Sequence, residues 1–267
     1  MKLAIIGAGR IAQAIVAGLI RSRTWPAEEI VGTTRTEASG KAFLEIDSNL
    51  SWSPTIEEAV RDADVVFLSV KPSQMVGIFP QLKQNENFPL YISVAAGILI
   101  STMEVGLGAQ ARIIRAMPNT PAHIQEGVTG FSANQHATTD DIATAFRIFN
   151  STGHAFQVPE KAIDAVTALS GSGPAYFYQF IDALSVGAIE CGLDEATARQ
   201  MAIYTAIGAA RMLEKGDKTP HELMEQIRTP GGTTEAALRV FQAANLTATC
   251  KEAIHAATAR SQELSKG

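Results

Sequence analysis

Only two cysteines, Cys191 and Cys250, occur in the 267 residues, and neither sits in a Cys-x-x-Cys pair or beside a histidine at metal-ligand spacing. That excludes a disulfide framework and a zinc module. Free thiols in a reducing compartment are the simplest expectation, which places the chain in the cytoplasm. The five histidines, His123, His136, His154, His221 and His255, are scattered, so no metal site is expected. Charge is also scarce: charged residues make up 18% of the chain and the net charge is −5. A general nucleic-acid-binding surface is therefore not expected, although local groups could still hold a small anion. No apolar run reaches the roughly 18 uninterrupted residues that span a bilayer, so no membrane partner is expected. The sequence opens on the apolar run Leu3 to Ile6 without a charged-then-apolar leader, which argues against a secretory signal. Internal repeats, charge runs and low-complexity segments are lacking too.

What the sequence does have is apolar residues, 46% of the total, enough to bury a large core. Its length suits one large domain or two moderate ones. Over residues 1–160, short apolar runs alternate with helical patterns. Lys2–Ile6, Ile30–Thr33, Asp64–Val70, Leu90–Val94 and Arg112–Met117 are predicted strands, and Arg10–Ser22 and Glu57–Asp62 predicted helices. The strands are apolar throughout rather than alternating, as when helices cover both faces of a parallel sheet. The β-α-β-α order predicts an α/β fold with a doubly wound open sheet.

The character changes near Pro159. From Ile163 onward only helical patterns appear, including long ones at Ala175–Cys191 and Glu195–Lys215, so residues 161–267 are predicted to form an all-helical second domain. Segment 202–213, AIYTAIGAARML, is apolar or small on almost every face. Such a helix should be buried on all sides, which a small helical domain cannot easily achieve alone. Burial between two copies of the chain is one solution, and burial within one subunit the other.

The first strand leads into Gly7-Ala8-Gly9-Arg10-Ile11-Ala12 and then a helix. This is the Gly-x-Gly-x-x-Ala form of the dinucleotide fingerprint. Gly7 permits the tight turn, Gly9 lets backbone approach a pyrophosphate, and Ala12 lets the helix pack close to the strand. The amides of the helix N-terminus then face phosphate charge. At the end of the second strand, an acid would bond the adenine ribose and an Arg would suit a 2′-phosphate. The residues there are Thr34, Arg35 and Thr36, with Glu37 following. A planar guanidinium between two hydroxyls favours NADPH, with NADH as the other candidate. Val70-Lys71-Pro72 and Ala96-Gly97, after later strands, are expected to line the same crevice. Lys71 reads as a charge near phosphates rather than as a catalytic group.

Three further segments are dense in Gly, Pro and hydroxyls: 115–122 (RAMPNTPA), 168–176 (ALSGSGPAY) and 229–234 (TPGGTT). Together with the N-terminal glycine turn and Ser69-Val70-Lys71-Pro72, in this order and over the whole chain, they closely resemble the 1-pyrroline-5-carboxylate reductases. The resemblance implies a Rossmann domain followed by a helical domain that interlocks with a second copy. It implies a homodimer, which in members of the family assembles further into decamers, and a nicotinamide donor that reduces the imine to proline. It also implies that Pro118 and Asn119 border the cofactor, that the 229–234 loop holds the substrate carboxylate, and that Thr167 lies near the imine. Two positions depart from the usual pattern. Gln125 stands where many members have Gly, and Ile56 where many have an Asn that helps hold the adenine ribose.

The residues of the third loop support the same reading by themselves. Thr229 is expected to cap the following helix, 235–244, with Pro230 in its first turn. Gly231 and Gly232 would then expose backbone amides beside the hydroxyls of Thr233 and Thr234, forming an anion seat that needs no Lys or Arg. Gly232 is expected to be the position at which a side chain would forbid the needed dihedrals. An imine nitrogen is basic enough to be protonated from solvent, so proximity matters more than a strong acid. Thr167 is the candidate hydrogen-bond donor to that nitrogen. A 3-hydroxyacid-type dehydrogenase is the enzymatic rival. It would carry a Lys shortly after a Gly-rich helix start, whereas Gly173 is followed by Pro174-Ala175-Tyr176-Phe177-Tyr178-Gln179. A non-catalytic dinucleotide-binding regulator is the rival of another class, and it would not need the anion seat.

Overall fold

Period-two alternation sorts the apolar strands onto two faces of one sheet. The chain is described by a computed structural model over residues 1–83, 85 and 87–265. Its first elements are β1 (Leu3–Ile6), α1 (Arg10–Arg21), β2 (Ile30–Thr33), α2 (Glu37–Leu44), β3 (Ser51–Ser53), α3 (Ile56–Val60), β4 (Val65–Leu68), α4 (Pro72–Leu82), β5 (Leu90–Ser93), α5 (Ile100–Leu107) and β6 (Arg112–Met117). Then come β7 (Gly127–Ala133), α6 (Thr139–Asn150), β8 (Gly153–Gln157), α7 (Ile163–Val166) and a π-helical turn, Thr167–Gly171. The remainder is helical: α8 (Gly173–Glu190), α9 (Glu195–Lys215), α10 (Pro220–Ile227), α11 (Thr233–Ala243) and α12 (Leu246–Leu264).

Along β1, Leu3 and Ile5 join one core with Phe67 and Ile92 from the sheet, Ile15 and Leu19 from α1, and Phe149 from α6. Ala4 and Ile6 point the other way, into a core with Val66 and Leu68, Met75 and Phe79 of α4, and Met103 of α5. Each fully buried large side chain of this kind contributes roughly 1.5–3 kcal/mol. The strand order is β3-β2-β1-β4-β5-β6-β7-β8. Strands β1 to β6 are parallel, β7 runs antiparallel to β6, and β8 parallel to β7. The winding reverses between β1 and β4, and ligands of such sheets sit outside the strands' carboxyl ends at that point. The doubly wound sheet expected from the sequence is present, and the chain past Ile163 is helical as expected.

Strands β3, β7 and β8 were not among the predicted strands. Short β3 and half-exposed β8 carry no apolar run, and β7 (GVTGFSA) buries Thr129 and Ser132 rather than aliphatic side chains.

Met1–Ser172, together with the chain from Ala256 onward, forms one compact unit, and Gly173–His255 forms another. Residues 160–172 stay with the sheet because specific polar contacts hold them there. Arg115 of β6, its side chain 4% exposed, pairs with Glu160 at 3.3 Å. The Ile100 amide donates to the same carboxylate at 2.7 Å, and Ser261 of α12 donates to Asp164 at 2.7 Å. Removing Glu160 would leave a buried, unpaired guanidinium, a change worth about 3–5 kcal/mol.

In the second unit, α8 and α9 pack against each other. Asp194 caps α9 by accepting the Thr197 amide at 3.0 Å, and the Thr197 hydrogen bonds hold its carboxyl below the usual range. A reciprocal capping box of Thr219 and Glu222 starts α10. Phe180 of α8 meets Phe241 of α11 with ring centroids 6.0 Å apart. Segment 202–213 is exposed in the single chain: Ile207 is 41% and Met212 60% accessible.

Candidate active site

The glycine turn forms as its sequence requires. Gly7 adopts φ +89°, a region L side chains avoid, and its amide donates to the Thr33 carbonyl at 3.0 Å. Gly9 is the N-cap of α1; it has no side chain to cap the helix, and no acidic residue occupies the first turn. The leading amides of α1 are therefore left for an external anion. They open on a cleft of about 600 Å³ at the carboxyl ends of β1, β2 and β4.

Of the residues expected at the cofactor, Gly7, Ala8, Gly9, Thr34, Arg35, Thr36, Val70 and Lys71 line this cleft. Arg10, Ile11 and Ala12 form the first turn of α1, with Ala12 buried, and Pro72 is the first residue of α4. Ala96, Gly97, Pro118 and Asn119 lie in the loops after β5 and β6, off the cleft wall. At Gly97 the backbone is approached closely by the chain itself. Gly97 has φ +76°, and a Cβ there would lie 2.9 Å from the Leu264 carbonyl oxygen.

Arg35 is exposed at the mouth of the cleft. Glu37, the residue that could have neutralised it, pairs instead with Lys41 at 3.9 Å on α2. The hydroxyls around Arg35 are ordered. Thr34 Oγ1 donates to the Thr36 carbonyl at 2.8 Å and accepts the Trp52 indole N–H at 3.0 Å. Thr36 caps α2, accepting the Ser39 amide at 3.3 Å, and its Oγ1 lies 2.9 Å from Ser39 Oγ. Ser39 lines the cleft and was missed, although a Thr and a Ser three residues apart at a helix start is a capping signature. Pro54, Thr55, Ile56 and Glu57 were also missed as wall residues. Ile56, noted only as a departure from the family pattern, puts an apolar side chain on the wall where an Asn would offer an amide. Gln125 has φ +59°, so the Gly usual at that position reflects a left-handed turn that costs a side chain about 1–2 kcal/mol.

The TPGGTT loop differs from its expectation. Helix α11 starts at Thr233 with Gly232 as N-cap, so Thr229 is not the cap and Pro230 is not in the first turn. The reason is a turn that closes first. The Gly232 amide donates to the Thr229 carbonyl at 2.9 Å, with Gly231 at φ +72°. Pro followed by a positive-φ Gly between those ends is the pattern of a type II turn. The glycine dihedral thus sits at Gly231, whereas Gly232, at φ −81°, has a conformation open to any residue. Neither glycine amide is idle, because Gly231 donates to Glu235 Oε2 at 2.7 Å. That bond, aided by Arg239, holds the Glu235 carboxyl below the usual range. The helix-start amides at Thr233, Thr234 and Glu235 are the ones an anion can reach.

Thr167 opens the π-helical turn, half-buried, and its hydroxyl donates to the Ile163 carbonyl at 2.9 Å. Its proton is engaged, so it is not poised as the donor to an imine nitrogen. No group of acidic, His or Cys side chains able to hold a metal occurs among the described residues, and Cys191 and Cys250 are exposed and unpaired.

Comparison with known proteins bears on the whole chain. Residues 160–264 match the family described as pyrroline-5-carboxylate reductase dimerisation, and residues 2–97 the family described as NADP oxidoreductase, coenzyme F420-dependent. A pyrroline-5-carboxylate reductase of Synechocystis is 37% identical over 266 residues, covering 100% of this chain and 99% of its own. The structure of a pyrroline-5-carboxylate reductase from Coxiella burnetii superposes with a TM-score of 0.94 at 36% identity, covering 100% of this chain and 99% of the other. That of Plasmodium falciparum pyrroline carboxylate reductase, with NADP bound, gives 0.87 at 27% identity over 99% and 98% of the two chains. With relatives this similar along its full length, the chain belongs to the pyrroline-5-carboxylate reductase family.

Proposed function

We propose that this chain reduces 1-pyrroline-5-carboxylate to L-proline with NADPH, the last step of proline biosynthesis. The observation that carries the cofactor assignment is the cleft itself. A glycine turn and an uncapped helix N-terminus stand at one side, Arg35 and ordered hydroxyls at the other, and the end of β2 presents no carboxylate. The full-length relatives carry the substrate. Residues 1–160 would bind the dinucleotide and residues 161–267 the substrate and the partner subunit, a division supported by the match of 160–264 to the dimerisation family.

Bound NADPH would supply the hydride. The chain's own work is placement: Gly7 to Ala12 seat the pyrophosphate, while Thr34, Arg35 and Thr36 engage the 2′-phosphate. Val70, Lys71, Pro72, Ala96, Gly97 and Pro118 border the cofactor, whereas the side chain of Asn119, expected beside them, is turned to the Ser170 carbonyl and the Val128 amide. The loop of Thr229, Gly231, Gly232, Thr233 and Thr234 seats the substrate carboxylate at the start of α11. Solvent protonates the ring nitrogen, and Thr167, whose proton is engaged, can accept a hydrogen bond from the resulting N–H. The direct test is NADPH oxidation on addition of the imine, with proline as product. Absence of turnover with the imine at saturating NADPH would overturn the reading.

Arg35→Ala is expected to raise the KM for NADPH about ten- to a hundredfold, the range for a hydrogen bond to a charged group, and to leave the KM for NADH nearly unchanged. Equal weakening of both cofactors would assign Arg35 to adenine rather than to phosphate.

The exposed apolar face of α9 supports a homodimer, from which decamers can be built. Ile207→Asp would place a charge in that interface at a severe burial penalty. Sedimentation is expected to show wild-type dimers or multiples of them, and Ile207→Asp monomers. A stable, active wild-type monomer at dilute concentration would contradict this. The two exposed thiols suit a reducing, cytoplasmic location. Among the described residues, no helix is long and apolar enough to cross a membrane.

A further inference from the structure

We infer that Asn119 is a positioning residue for hydride transfer, whose buried side chain clamps the π-helical turn Thr167–Gly171 to the carboxyl end of β6. The inference rests on the reductase reading above and adds a device that the reading does not contain.

The turn needs such a clamp for a reason written in the sequence. An α-helical carbonyl at Ser170 would receive the amide of the residue four positions on, but that residue is Pro174, which has no N–H. The α-helical donor to the Ser170 carbonyl is therefore missing, and a half-buried carbonyl without a donor is costly. Asn119 supplies the donor. Its Nδ2 gives a hydrogen bond to the Ser170 carbonyl at 3.0 Å, while its Oδ1 accepts the Val128 amide at 2.8 Å. The side chain is 7% exposed. Its two partners fix the orientation of the amide, since flipping it would set donor against donor and acceptor against acceptor.

The turn is seated from other sides as well. The Ser172 amide closes the wide ring by donating to the Thr167 carbonyl at 2.9 Å. Val166 fills the space left by Gly130 on β7, where a Cβ would come within 2.7 Å of it. Of these contacts, the Asn119 bond is the one that joins the turn directly to the loop after β6. In doubly wound sheets, ligands lie over the carboxyl ends of the strands, and isolated π-turns recur at functional sites. Asn119 lies off the cleft wall, with one N–H and its side-chain carbonyl oxygen engaged within the chain. Its part is thus to fix the backbone that carries Thr167, not to touch the dinucleotide. A misplacement of about 1 Å in a hydride-transfer geometry can cost about a hundredfold in rate.

Asn119→Asp separates this from a merely structural role. The variant keeps an acceptor for Val128 but sets a carboxylate oxygen against the Ser170 carbonyl. Single-turnover hydride transfer from NADPH to the imine is expected to slow about ten- to a hundredfold. The Kd for NADPH should stay within about twofold, the level expected when no phosphate contact changes. The Ser172 amide, followed by hydrogen exchange, should exchange faster. An unchanged transfer rate would overturn the inference, as would a loss of NADPH affinity in parallel with the rate. A wild-type chain that binds NADPH but does not reduce the imine would defeat the reductase reading instead. The clamp would then be decided by exchange alone: faster exchange at Ser172 in Asn119→Asp supports it, and unchanged exchange overturns it.

Discussion

Gly7→Ala is expected to weaken NADPH binding by at least about a hundredfold, equivalent to roughly 2.7 kcal/mol. Two effects add. At φ +89° a side chain meets its own backbone, at about 1–2 kcal/mol. The new Cβ would also lie 2.9 Å from the Ser69 carbonyl oxygen and 3.1 Å from Val70 Cγ1. That carbonyl cannot easily give way, because the Ser69 amide is tied to the Ile6 carbonyl at 2.9 Å. The turn would have to open, and the amides of α1 would move off the pyrophosphate. Gly9→Ala is the informative contrast. Gly9 has φ −70° and nothing within 4 Å of a Cβ, so the ligand-free chain should tolerate the change and only binding should suffer. Thermal melting should therefore show a loss for Gly7→Ala and almost none for Gly9→Ala, while titration shows weaker NADPH binding in both. Wild-type affinity in Gly7→Ala would remove this turn from the cofactor site.

In the substrate loop, Thr234→Ala should lower kcat/KM for the imine about ten- to a hundredfold, through loss of a hydrogen bond of about 1–3 kcal/mol to a carboxylate. Gly231→Ala should act on the same parameter by another route. Nothing stands within 4 Å of the added methyl, but φ +72° makes the Thr229–Gly232 turn unfavourable by about 1–2 kcal/mol. Gly232→Ala should also weaken the seat, by crowding rather than by dihedral strain. Its dihedrals suit alanine, but the methyl would meet the Thr229 hydroxyl, which can rotate away, and the Thr229 carbonyl oxygen at 3.0 Å, which the turn holds in place. NADPH affinity should hardly change in any of them, because the dinucleotide cleft is built from other residues. Unchanged imine kinetics in Thr234→Ala would remove that hydroxyl from the seat. Wild-type behaviour of Gly231→Ala as well would remove the loop from the substrate site.

The parts legible in the sequence were those governed by local rules. The strands Ile30–Thr33 and Arg112–Met117 and the helix Glu195–Lys215 have the boundaries that apolar runs and helical patterning predicted. The glycine turn was readable because each small residue answers a local steric demand. Long-range partners were not readable. That Leu264 backs Gly97, that Glu235 takes the Gly231 amide, and that Trp52 holds Thr34 depend on where distant segments meet. The start of α11 was misread for a subtler reason. Thr229 and Pro230 satisfy the rules for a helix start and for a type II turn equally well, and the positive φ at Gly231 decides between them.

Helix α12 returns to the sheet unit, where Ser261 reaches Asp164 and Leu264 backs Gly97. On the ribosome, this gives the molecule a fixed order of assembly. Ser261 is made 97 residues after its partner, which at ordinary elongation rates is a wait of about 5–20 s. Throughout that interval the nascent sheet lacks the segment that covers Gly97 and ties down Asp164. The part of the chain that emerges first is therefore among the last to be completed, and a nascent chain stalled before Ser261 should be more open to protease around Gly97 and Asp164 than the released protein.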